Sequence, residues 1–94
     1  MRIFWSPRSI RHLKALHDYI AQDNLTAADG VARRILDSVE LLEGHPRIGR
    51  PGRVAGTREL VVPGTPYVIP YRVRGDRLEL IAVFHGRQRW PDKL

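Results

Sequence analysis

The sequence predicts a two-layer α+β domain: an N-terminal strand, then an antiparallel helical hairpin packed on a mainly antiparallel sheet, in the order β-α-α-β-β-β. Three observations predict it. Apolar residues recur at three- and four-residue steps through most of the first half, which is the period of a helix buried on one side. In the second half the runs shorten, fill with Val, Ile, Tyr and Leu, and alternate. Gly75-Asp76 then sits between two such runs as a two-residue turn, where a glycine at positive φ twists the chain as paired strands require.

Arg2-Ile3-Phe4-Trp5 is a short apolar run and reads as the first strand. Ser6 caps a helix that opens on Pro7, since Pro at the first helical position forfeits no hydrogen bond. Ile10, Leu13, Leu16, His17 and Ile20 form one face of that helix, which is expected to run to about Gln22. Asp23-Asn24 breaks the pattern and caps a second helix from Leu25 to Glu43. Its apolar face is Ala28, Val31, Ala32, Ile35, Leu36, Val39 and Leu42. Gly30 costs about 1 kcal/mol there relative to Ala and is expected to let the first helix come close. Gly44-His45-Pro46 stops the helix.

His45 to Thr57, rich in Gly, Pro and Arg, reads as an irregular surface loop. Arg58 to Val62 is a strand, Pro63 to Pro66 a turn, and Tyr67 to Arg74 with Arg77 to His85 the hairpin. Pro70 lacks a ladder donor, so a bulge or an unpaired position is expected beside it. On the last strand Leu78, Leu80, Ala82 and Phe84 are expected to face the helices. Glu79, Ile81, Val83 and His85 would line the opposite face, partly apolar, arginine-rimmed and suited to docking.

Length and composition set the bounds. The 94 residues make one domain, 1–94, with 43% apolar residues to form a single core. A chain of this size buries only about two-thirds of its unfolded surface. No cysteine is present, so there is no disulfide and no thiolate metal site, which fits a reducing cytoplasm. No apolar run is long enough to span a membrane, and the opening MRIFW leaves no room for a signal-peptide core. The net charge of +6 is one-sided. Residues 1–44 hold six bases and six acids; residues 45–94 hold ten bases, nine of them Arg, against four acids. Such a half points to an anionic partner, nucleic acid or an acidic protein segment.

Motif chemistry is mostly absent. GRPGR carries no GK[ST], so it is not a phosphate-binding P-loop, and no nucleophile motif exists. His12 and His17 are five apart, on different sides of a helix, and no cofactor or metal is expected. Asp37, Glu40 and Glu43 read as a solvated helix face. His85 has the one notable address, at a strand end before Gly86-Arg87-Gln88-Arg89-Trp90. It would either move protons beside phosphate-neutralising arginines or hydrogen-bond locally while Trp90 plugs a core edge. The local role is favoured because no partner acid is found. Arg58, Arg72 and Arg74 stand open as phosphate contacts, contacts to an acidic protein partner or solvated strand positions.

HPRIGRPGR followed by TRELVV, then PYVIPYRVRGDRLELIAVFHGRQRWP, resembles the ParE branch of the RelE/ParE toxin superfamily. These proteins are often called plasmid stabilisation proteins. The likeness covers nearly the whole chain and is strongest from Pro46 to Pro91. It implies a RelE/ParE-like fold and a type II toxin that inhibits DNA gyrase by binding it, without catalysis of its own. It also implies a ParD-like antitoxin, a ribbon-helix-helix dimer with an acidic C-terminal tail, in a 2:2 or larger complex. The alternative is a RelE-like, metal-independent, ribosome-dependent mRNA endoribonuclease using Arg58, His85 and Arg87. Gly86 stands where such nucleases carry a tyrosine, and no lysine lies between Lys14 and Lys93, which favours the ParE branch. The positions implied for toxicity or partner binding are Arg58, Arg72, Arg74, His85, Arg87, Arg89 and Trp90.

Overall fold

The computed structural model describes residues 1–94. Strand β1 (Arg2–Trp5) leads into α1 (Pro7–Ala21) and α2 (Leu25–Leu41). Then come β2 (Arg50–Pro51), β3 (Arg58–Val61), β4 (Tyr67–Arg74), β5 (Arg77–Leu80) and β6 (Phe84–His85). The sheet order is β1-β5-β4-β3-β2, and β6 continues alongside β4 beyond β5. Only β1 and β5 run parallel; the other pairs are antiparallel. Two helices on one face of this sheet give the expected α+β architecture.

The helix starts follow from their caps. Ser6 Oγ accepts from the Ser9 N–H at 3.0 Å and donates to the Ile81 carbonyl at 2.8 Å, so one hydroxyl starts α1 and ties it to the sheet. Asn24 Oδ1 accepts from the Ala27 N–H at 3.0 Å. Both helices end a residue or two before the expected Gln22 and Glu43, as frayed last turns do. The core between the layers takes Leu16, Ile35, Val39 and Leu42 from the helical side. Leu60, Val62, Ile69, Tyr71, Leu78, Leu80 and Val83 meet them from the sheet. Each such aliphatic side chain contributes about 1.5–3 kcal/mol by leaving water. Ile10 is not part of this face; it is 55% exposed. Gly30 does not mediate close packing either, since a Cβ built there meets nothing within 4 Å.

The expected last strand, Arg77 to His85, is broken. Tyr71 pairs with Leu80 and Val68 with Phe84, so Ile69 and Pro70 face three residues, Ile81, Ala82 and Val83. That is a bulge at Pro70, where the missing N–H makes continuous pairing impossible. The Ile81 N–H still reaches the Pro70 carbonyl at 2.9 Å. The Val83 N–H turns to His12 Nδ1 on α1 at 3.1 Å. The extra residue reverses the alternation expected beyond Leu80. Leu78, Leu80 and Val83 face the helical core, whereas Ala82 and Phe84 join Val68 and Trp90 in a second cluster.

The loop expected over His45 to Thr57 also contains structure, because Arg50 and Pro51 pair with Glu59 and Arg58. The hairpin turn is as expected: Gly75 has φ +62°, and Arg74 pairs with Arg77 across it.

Candidate functional site

The loop before β3 is stapled to the sheet by two side chains. The buried Tyr71 hydroxyl accepts from the Gly49 N–H at 2.9 Å and donates to the Pro46 carbonyl at 2.9 Å. Burial raises its pKa, and the Gly49 hydrogen bond and Arg58 only partly offset that. Gly49 must lack a side chain, since a Cβ would lie 2.6 Å from the Tyr71 oxygen and 2.9 Å from the Glu59 carbonyl. Arg58 Nη1 donates to the Gly49 carbonyl at 2.8 Å and to the Arg47 carbonyl at 3.4 Å. Arg58 is therefore half-buried and oriented by the loop it faces.

Glu59, on the next position of β3, organises the other face. Its carboxylate is 3% exposed. Oε1 accepts from Arg50 Nε at 3.2 Å and Nη2 at 3.0 Å. Oε2 accepts from the Arg53 N–H at 2.8 Å and Nε at 3.2 Å. Burial works against the charged form, but these bonds outweigh it and hold the pKa below the ordinary carboxylate value. The Arg53 guanidinium also lies 3.5 Å from the Trp90 ring centroid. Trp90 in turn packs on Phe84, 4.8 Å between centroids, and is 8% exposed. The sheet face expected to be free for docking is thus covered at this end by the chain's own tail and loop. Trp90 fills a core edge with Val68, Ala82 and Phe84. Sequence reasoning missed Glu59 as a centre. The signal was there: it is the sole acid between Glu43 and Asp76, amid arginines.

His85 sits at the tail's root, on the helix side of β6. Its N–H donates to Gln88 Oε1 at 2.7 Å, and its carbonyl accepts from the Gln88 N–H at 3.1 Å. The Arg87 N–H donates to His85 Nδ1 at 3.1 Å, which puts the neutral ring's proton on Nε2. That tautomer is a donor and not a general base. Its ring meets Tyr67 edge-on at 5.7 Å, in a groove of about 350 Å³ shared with His12, Tyr19 and Gln88. Burial, then Arg8 and Arg11, lower the His12 pKa, while burial and then Tyr19 raise that of Tyr67. No carboxylate bonds to His85, and no cluster of three His or acidic side chains could hold a metal.

Of the three nuclease candidates, Arg87 is beside His85 but Arg58 is not. Arg58 pairs with Tyr71 and His85 with Tyr67, on strands flanking opposite sides of β4. They are about 13 Å apart along the strand and two strand spacings, about 10 Å, across it. Arg87 and Arg89 are exposed beside His85. Arg72 and Arg74 lie on the sheet face away from the helices, without ion pairs. The ion pairs of the molecule are Arg50–Glu59, Arg53–Glu59 and His17–Asp29.

Comparison with known proteins agrees with this architecture. A family model described as the ParE toxin of the type II toxin–antitoxin system parDE matches residues 3–90. A protein of Sinorhizobium fredii named "Putative toxin Y4kP" is 44% identical over 93 residues, covering 99% of this chain and 96% of the relative. Toxin RelE2 of Caulobacter vibrioides is 34% identical over 85 residues, covering 90% and 94%. A solved structure described as the chromosomal ParDE TA system from P. aeruginosa superposes with a TM-score of 0.81 at 25% identity, over 90% of this chain and 95% of that one. With a family match across nearly its whole length and a relative this similar, the chain belongs to the ParE family of type II toxin–antitoxin toxins.

Proposed function

We propose that this toxin inhibits DNA gyrase by binding it, and that a ParD-like antitoxin neutralises it in a 2:2 or larger complex. The observation that carries the reading is the match to the ParE model over residues 3–90. The site geometry supports it. Arg58 is engaged with loop carbonyls, and His85 is held as a donor with no acid behind it. A binding inhibitor needs neither group to do chemistry.

The antitoxin side has support of two kinds. The related P. aeruginosa structure is described as a ParDE system. On this chain, a cleft of about 310 Å³ runs along the short β2 edge, lined by Leu41, Ile48, Leu60, Val61 and Pro63. Leu41, Ile48 and Val61 are about half exposed there, and Arg50, paired to Glu59, lines the same cleft. An acidic amphipathic segment would gain steering from the basic second half of the chain and affinity from the apolar floor.

The test is a gyrase supercoiling reaction on relaxed plasmid, titrated with the purified toxin and repeated with antitoxin. Loss of supercoiling with cleaved plasmid, reversed by antitoxin, is the expected result. Full supercoiling with folded toxin would overturn the gyrase target. Cleavage of mRNA on translating ribosomes, abolished by His85→Ala, would establish the endoribonuclease reading in its place.

A further inference from the structure

On the sheet face away from the helices, three arginines stand in one row across three adjacent strands. Arg2 on β1 pairs with Arg77 on β5, and Arg77 pairs with Arg74 on β4. Neighbouring strands are about 4.8 Å apart, so the row spans about 10 Å. Arg72 rises from the same face of β4, two residues on. None of the four makes an ion pair, and Arg2, Arg74 and Arg77 are exposed. Phe4 carries two of them: the Arg77 guanidinium lies 4.0 Å from its ring centroid and that of Arg2 5.3 Å. The acids nearby are Asp76 in the turn and Glu79, which is opposite Arg72 and Phe4 in register. Like charges directly opposite on paired strands work against the fold.

Arg72 also lines a cleft of about 690 Å³ at the overhanging tip of β4, shared with Arg47, Arg58 and Thr57 and with no acid in its walls; Arg58, opposite the core residue Tyr71, enters it from the helix side of the sheet. Arg58 is already fixed there by the Gly49 carbonyl. We propose that the row and the cleft together grip the phosphodiester backbone of a nucleic acid, without reading its sequence. Planar guanidinium forks suit phosphate oxygens, and every base here is Arg. An acidic peptide would want apolar anchors as well. This surface offers only Val73 and a Phe4 ring already covered by two guanidinium groups.

The test uses the full chain alone, without gyrase, so its outcome is independent of the target proposed above. Fluorescence anisotropy is read on a labelled 20-nucleotide single-stranded DNA, the same sequence as duplex, and the same sequence as RNA. With four or five phosphate contacts, affinity is expected to fall roughly 50- to 130-fold for the single strands and about 150- to 500-fold for the duplex between 50 and 200 mM NaCl. The Arg2→Gln/Arg74→Gln/Arg77→Gln variant is expected to bind at least tenfold more weakly with a shallower salt slope, while its circular dichroism and melting curve stay near wild type. Arg74→Gln alone, at the hairpin tip, should show a smaller loss in the same direction. Lys14→Gln/Arg33→Gln/Arg34→Gln removes the same charge from the helical layer and should bind as wild type. Equal weakening in that control would mean net charge alone, and would overturn the proposal. So would no binding at 50 mM NaCl, or a poly-glutamate peptide that binds the same arginines more tightly than any nucleic acid.

Discussion

The arginines at the two ends of the sheet have opposite fates. At the β2–β3 end, Arg50 and Arg53 close on the buried Glu59, Arg53 covers Trp90, and Arg58 holds the loop. At the β1–β5–β4 end, Arg2, Arg72, Arg74 and Arg77 have no carboxylate within ion-pair distance, and Arg2, Arg77 and Arg74 stand in a row. The same residue type therefore stabilises one end and burdens the other. What separates them is a single acid placed at a buried strand position. A stability scan should split the arginines accordingly.

The sharpest break comes from removing both partners of Glu59. Arg50→Ala/Arg53→Ala leaves a buried carboxylate with only the Arg53 N–H, and is expected to cost about 3–5 kcal/mol in urea unfolding. A cost under about 1 kcal/mol would mean that the network does not hold this end together. Tyr71→Phe orphans the Gly49 N–H beneath the same loop and should cost about 1–3 kcal/mol. Melting temperature against that of the parent reads it directly. Acid probes Glu59 without mutation. Its folded pKa is depressed, so its contribution is present above the ordinary carboxylate pKa and is lost as pH falls through the lower folded value. Unfolding free energy measured from pH 6 down to pH 3 should drop, and the drop should shrink in Glu59→Gln. Gly30→Ala, on the helical layer and far from either end, should gain about 1 kcal/mol, since the added methyl meets open space. The smallest effect belongs to the unpaired end. Arg74→Thr relieves the repulsion from Arg77 and should shift stability by less than about 1 kcal/mol, upward if at all.

Much of this fold is legible in the sequence because its signals are local. Ser6-Pro7 and Asn24 start the helices, Gly75 makes the hairpin turn, and Pro70 forecasts a bulge. What the bulge does downstream is less legible. One extra residue among Ile81, Ala82 and Val83 exchanges the faces of Val83 and Phe84, and periodicity read through Pro70 assigns them wrongly. The site is harder still. His85 and Trp90 are visible as addresses, but whether Trp90 is exposed depends on Arg53, 37 positions away. The arginine row depends on the parallel register of β1 with β5, which no local pattern specifies.

That register also governs when the molecule can form. Every pair between β1 and β5 joins residues 75 positions apart. At a synthesis rate of about 5–20 residues per second, the first strand waits roughly 4–15 seconds for its partner. Closing so long a loop makes folding depend on non-local contacts and slows it. The helical hairpin can form early, but the sheet beneath it cannot be completed until residues 77–80 are made. The second cluster waits further, for Trp90. The chain therefore completes its sheet, and the small cluster that Trp90 closes, only as its last residues are made.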